Sequence, residues 1–283
     1  MSREGANALE LDLCMTADGE IIVWHDWDPD DPICRIRRAG MEPYVKCCPC
    51  FPEQERPVST WNSREFIELH GYEAGGCRVT DARIPTLDEF MSWASGRPEI
   101  LTVFFDIKIP ESESKLAPKM LDRIEAIVGN YHHSFTIIYE VAHKKVLQAM
   151  KRHRPHERYT LDIEPAHGLV VLPWRFSGVR PALRFGNSTA TLMHPYMSTF
   201  APWTTHKRIV RHDIRLRNRK RRKGHPYVNI VSFTVNDREE MRCLINMGID
   251  GIQTNRPALL RQVAEEMGVV PPIFAPYVPT PNR

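Results

Sequence analysis

The feature that most limits the folds open to this chain is a repeated alternation of short apolar runs with stretches of helical periodicity, from about residue 8 to residue 267. Residues 8–13 read as a strand, and residues 21–25 as its hairpin partner beyond the turn signal Asp18-Gly19. Residues 100–107 form an apolar run too continuous for a half-exposed strand, so burial on both faces is expected. Further strands are expected at 134–139, 159–163, 189–193, 228–235 and 251–254. Helices are expected near 63–70, from the capping box Thr86-Leu-Asp-Glu89, and at 116–128, 141–153, 205–222, 238–247 and 258–267. With the hairpin strand set aside, seven strands joined mostly by helices imply a parallel sheet with helical crossovers. A closed (β/α)₈ barrel needs eight. The expected fold is therefore an α/β, TIM-type barrel lacking its first β/α unit, with a doubly wound open sheet as the competing arrangement. The barrel would span residues 1–268 with a long loop insertion at 27–85, leaving a Pro-rich tail at 269–283.

Composition narrows the function classes. In 283 residues, 42% are hydrophobic and 26% charged, which is ordinary globular usage. A net charge of only +3 does not suggest a specific nucleic-acid partner. No apolar run approaches the roughly 20 residues of a membrane span, and Met1-Ser-Arg-Glu runs into the first strand without a secretory signal, so the default location is cytoplasmic. Five of the seven cysteines (Cys34, Cys47, Cys48, Cys50 and Cys77) fall within the expected insertion, with Cys47 and Cys50 as a C-x-x-C pair. They suit a zinc clip, free thiols or a local disulfide.

Polar residues gather where the strands end. Glu10 and Asp12 are spaced i, i+2 on the first strand, so both project from one face. Asp106 and Lys108 repeat that spacing in Thr102-Val-Phe-Phe-Asp-Ile-Lys108, and Glu140, Glu164, His194, Asn236 and Asn255 stand at later strand ends. In a parallel barrel such positions converge on the face that carries active sites. Three carboxylates without a histidine or cysteine call for a hard cation, Mg²⁺ or Ca²⁺. A metal beside Lys108 suits an anionic phosphoryl group. His25, followed by Asp26, supplies a side chain that exchanges protons near neutral pH.

These residues together resemble the glycerophosphodiester phosphodiesterase family. The resemblance rests on Glu10-Leu-Asp12, Ala17-Asp-Gly19, an apolar strand ending in His25-Asp26, Ile84-Pro-Thr-Leu-Asp-Glu-Phe90, Phe105-Asp-Ile-Lys108, Ser232-Phe-Thr-Val-Asn-Asp237 and Gly248-Ile-Asp-Gly-Ile-Gln-Thr-Asn-Arg-Pro257. It implies a barrel, with Glu10, Asp12 and Asp106 as metal ligands, His25 as one of two acid–base histidines and Lys108 on the phosphate. Phe233, where the family often has Trp, and Asn255 are implied on the substrate side. Asp106 replaces the family's usual Glu, as it does in the related sphingomyelinase D-type phospholipases. The family also opens with a His-Arg strand, whereas only nine residues precede Glu10 here; a strand and crossover helix take roughly 30. The reading is thus of a chain lacking that strand and its histidine, with open edges beside the strands of Glu10 and Asn255.

Three functions follow. The first is metal-dependent hydrolysis of glycerophosphodiesters in lipid metabolism, with sphingomyelin or lysophospholipids as the next substrate class. Loss of one acid–base group would cost ~10²–10⁴ in rate, unless His194 replaces it. The second is a catalytically dead phosphate-binding barrel. The third is attachment to an anionic membrane surface or to nucleic acid through the basic stretch 208–223, which otherwise reads as a solvated helix face.

Overall fold

The computed structural model of the protein describes residues 6–29, 56–72, 80–163, 176–194 and 202–269. They fall into two compact units. The N-terminal unit is Glu10–Pro98 with Val103–Glu157, and the C-terminal unit is Met1–Leu9, Glu99–Thr102 and Arg158–Arg283. The cysteines at 34–77, Glu164 and the tail beyond Val269 lie outside the described residues.

The N-terminal unit holds all but the first residues of β1 (Ala8–Met15) and β3 (Thr102–Ile107), together with β2 (Ile21–Val23), α1 (Ser63–Leu69), α2 (Leu87–Ala94), α3 (Ala117–Val128), β4 (Thr136–Val141) and α4 (Lys144–His153). The strand order is β2-β1-β3-β4. β1 runs two residues past its expected end because Leu13, Cys14 and Met15 pair antiparallel with Val23, Ile22 and Ile21. All six residues of β3 are buried, as its unbroken apolar run requires. On β3, Phe105 packs edge-on against Tyr139 of β4, with ring centroids 6.0 Å apart. The Tyr139 hydroxyl donates to Glu125 of α3, so these alternate side chains face the helix layer. The neighbouring Asp106 and Glu140 therefore project from the opposite face of their strands. Thr86 caps α2 as the sequence signalled: its hydroxyl accepts from Glu89 N–H, and the Glu89 carboxylate accepts from Thr86 N–H.

The C-terminal unit contains β5 (Tyr159–Ile163), α5 (Val179–Phe185), β6 (Thr189–Met193), α6 (Pro202–Arg222), β7 (Asn229–Phe233), α7 (Arg238–Met247), β8 (Gly251–Ile252) and α8 (Pro257–Glu266). Its strands lie in chain order, β5-β6-β7-β8, all parallel. This sequential order has no reversal point, so it matches a barrel wall rather than a doubly wound sheet. Helix α5 falls in a stretch that the periodicity left irregular. Leu192 and Ile230 from the strands pack with Val210, Leu244 and Val263 from the helices. Each such residue contributes about 1.5–3 kcal/mol through burial.

Candidate active site

The N-terminal unit concentrates its charge on β1 and β3. A hydrogen bond from Lys108 N–H to Leu13 C=O, 3.1 Å, fixes the alignment of the two segments. In this alignment the ligand oxygens of Glu10, Asp12 and Asp106 all lie within 4.8 Å of one another. Lys108 Nζ sits 2.8 Å from Asp12 Oδ1 and 2.5 Å from Asp106 Oδ2. Glu10 and Asp12 lie within β1 rather than at its end, because the hairpin pairing extends the strand beyond them.

The electrostatics are those of an acidic cluster with one counter-charge. The surrounding protein pushes the Glu10 carboxyl well above the usual carboxylate range, and the Asp12 and Asp106 carboxylates push it the same way, against Lys108. Glu10 still keeps more than a third of its surface in solvent, so repulsion by the two neighbouring carboxylates dominates that shift. Burial alone would favour a neutral Lys108 amine. The surrounding Asp106, Asp12 and Glu10 outweigh it and hold the ammonium pKa well above its ordinary value. With all four groups ionised, one ammonium faces three carboxylates. A hard divalent cation fits this donor set, which offers oxygen atoms and no nitrogen or sulfur ligand.

His25 lies one residue beyond the point where Trp24 N–H donates to Asp12 C=O at 2.9 Å. Its Nδ1 is 2.7 Å from Oδ1 of the buried Asp26. A carboxylate at Nδ1 favours the tautomer protonated there and leaves Nε2 unprotonated in the neutral ring. The chain just after this pair is pinned from a distance. Trp27 Nε1 donates to Glu113 Oε1 at 3.0 Å, Ser59 Oγ donates to Glu113 Oε2 at 3.2 Å, and Val58 N–H donates to Trp27 C=O at 2.8 Å. Glu113 thus holds the segment that follows His25, a role that no local pattern 86 residues away could signal.

The remaining sequence candidates belong to the C-terminal unit. Phe233 is the last residue of β7, and its carbonyl accepts from His194 N–H. Asn255 follows β8, and its N–H donates to Asn236 Oδ1 at 2.9 Å. His194 is buried, stacked on Trp203 with centroids 5.7 Å apart and with Nε2 3.2 Å from Glu240 Oε2. Burial lowers its proton affinity.

The model of the glycerophosphoryl diester phosphodiesterase family matches residues 1–259. The chain belongs to that family. A glycerophosphodiester phosphodiesterase of Caldanaerobacter subterraneus subsp. tengcongensis is 24% identical over 264 residues, covering 93% of this chain and 88% of that protein. Among solved structures, an Oleispira antarctica phosphodiesterase in complex with the product sn-glycerol-3-phosphate is similar with a TM-score of 0.62 and 13% identity, covering 93% of this chain and 87% of that one. The Thermotoga maritima glycerophosphodiester phosphodiesterase gives a TM-score of 0.55 at 18% identity, again covering 93% and 87%. The fold is accordingly the TIM-type α/β barrel class of this hydrolase family.

Proposed function

We propose that this protein hydrolyses glycerophosphodiesters, releasing glycerol phosphate and an alcohol, with a divalent cation, Mg²⁺ or Ca²⁺, held by Glu10, Asp12 and Asp106. The observation that carries this reading is the convergence of those three carboxylates with Lys108 in a member of this family. The product complex of the Oleispira relative supports the glycerol phosphate end of the reaction.

In this reading the Lys108 ammonium binds the non-bridging phosphoryl oxygens and orients the diester. Its high proton affinity keeps it charged throughout the working pH range. The cation, when bound, supplies further neutralisation of the charge that develops on those oxygens. His25 exchanges a proton through Nε2, while Asp26 accepts from Nδ1–H and orients the ring. Phe233 and Asn255 are proposed as substrate-binding residues on the resemblance to the family alone. Because Asp106 stands where the family usually carries Glu, choline-phosphate diesters such as sphingomyelin and lysophospholipids form the second substrate class, and both readings belong to lipid metabolism. Contact of residues 208–223 with an anionic membrane is a separate part of the reading and does not depend on the carboxylate site.

The test is to incubate the purified chain with glycerophosphocholine and glycerophosphoethanolamine and assay glycerol phosphate. The expected result is release that requires Mg²⁺ or Ca²⁺, stops with chelator and is lost in Asp106→Asn. Metal-independent release, or the same rate in Asp106→Asn, would refute the assignment.

A further inference from the structure

The strongest charge feature outside the carboxylate site is α6. Residues 202–223 hold ten Lys and Arg side chains and one acid, in a chain whose net charge is +3. The helix divides this charge sharply. Ile209, Val210, Ile214 and Leu216 are buried in the core of the C-terminal unit. Arg208, Arg211, Arg215, Arg219 and Arg222 are exposed and recur every three or four residues, forming one stripe of roughly 20 Å. Arg217 does not belong to it: it is buried and paired with Asp250.

The neighbouring helix adds a second row, which the sequence reading did not include. The one acid of α6, Asp213, points inward, where Oδ2 accepts from Gly178 N–H at 2.7 Å and Val179 N–H at 3.3 Å. This ties the start of α5 to α6 and presents Arg180 and Arg184, both exposed, beside the stripe. His212 marks the seam: burial lowers its proton affinity, and Arg180 from α5 and Arg219 from α6 lower it further. Among the described residues, none of the seven arginines in the two rows forms an ion pair.

We propose that the α5–α6 face is a docking surface for an anionic lipid bilayer. Two adjacent rows of guanidinium groups on rigid helices suit a broad plane of phosphate and carboxylate headgroups. The large hydrophobic side chains exposed among the described residues are Trp93, Tyr227 and Val269, and none of them lies on α5 or α6, so contact is electrostatic and peripheral. Single-stranded nucleic acid is the lesser fit, because its binding surfaces interleave cations with open aromatic faces. Tyr227, near the end of the stripe, is already flanked by Arg217 and Arg221 at 4.8 and 5.1 Å and donates to Asp250. The proposal is independent of turnover at the carboxylate site.

The test is co-sedimentation of the full chain with phosphatidylcholine vesicles, with and without phosphatidylserine. Binding should require phosphatidylserine and fade as salt brings the Debye length to about 8 Å and below. At about 1 kcal/mol per arginine at the surface, the triple variant R211Q/R215Q/R219Q should bind on the order of 100-fold more weakly. The pair R180Q/R184Q should lose on the order of 10- to 30-fold. A charge-matched control on other exposed helices, K119Q/K144Q/R152Q, should bind like wild type, and thermal melts of all variants verify folding. Failure of the wild type to bind, equal binding to neutral vesicles, or equal loss in the control would overturn the proposal. So would RNA displacing the protein from vesicles with higher affinity, which would identify a nucleic-acid surface instead.

Discussion

Replacing Asp213 by Asn isolates the cost of burying one carboxylate where α5 meets α6. Asp213 is fully buried, and burial raises its pKa from the ordinary 3.8 to about 6, although hydrogen bonds from Ser177, Gly178 and Val179 favour the ionised form. The folded state therefore binds this proton more tightly than the unfolded chain does. The stabilising contribution is full below pH 3.8 and is lost as pH rises through about 6. Converted at about 1.4 kcal/mol per pH unit, the burden at neutral pH is roughly 3 kcal/mol at most. Asn keeps an oxygen for Gly178 and Val179 N–H and carries no charge to bury. Asp213→Asn should therefore match the wild type near pH 4 and exceed it near pH 8. For a chain of this size the gain is on the order of 5–10 °C in Tm. Asp213→Ala should be destabilised at every pH, because it leaves two buried donors without a partner at about 1–3 kcal/mol each. Urea unfolding of the three proteins from pH 4 to pH 8 checks this. A wild-type-to-Asn difference that does not change with pH would show that Asp213 stays ionised and refute the reasoning.

Two further outcomes follow from the geometry. His206 is fully buried with Nε2 2.6 Å from Ser232 Oγ, and burial, reinforced by His194, pushes its pKa down to about 3. Stability should be full above pH 6.5 and fall as pH drops toward 3; His206→Gln should flatten that acid limb in the same urea series, and an unchanged slope would refute the assignment. Lys108→Ala should weaken binding of glycerol phosphate, measured by calorimetry, more than it weakens binding of the cation alone, and the reverse order would place Lys108 outside phosphate recognition.

Much of the fold was legible because strand and helix periodicities leave direct marks in the sequence. The buried run of β3 and the Thr86 capping box are local signals, and the structure contains both. The Glu10/Asp12 and Asp106/Lys108 pairs were legible because i, i+2 spacing on a strand fixes a common face whatever the surroundings. What stayed hidden depends on distant partners. Helix α5 begins at Gly178 with no local side-chain cap and contains Pro181; Asp213, 35 residues from Gly178, supplies the carboxylate that holds its first turn. β1 extends to Met15 only because β2 pairs with it. Arg217 reads as one more member of a basic run until the fold brings Asp250 to it, 33 residues downstream. The anchoring of the segment after His25 by Glu113 is equally non-local.

The central claim is that Glu10, Asp12 and Asp106 share one divalent cation, and calorimetric titration of Mg²⁺ and Ca²⁺ tests it most directly. The wild-type chain should show a single saturable site for at least one of these ions. Alanine at any of the three positions should abolish it, because each change removes one of three charged donors while the Lys108 ammonium stays to repel the ion. His25→Ala should bind the ion as the wild type does, since its imidazole is engaged with Asp26 and is no part of the donor set. Undiminished binding in the Asp106→Ala and Glu10→Ala proteins, or binding lost on His25→Ala, would contradict the account.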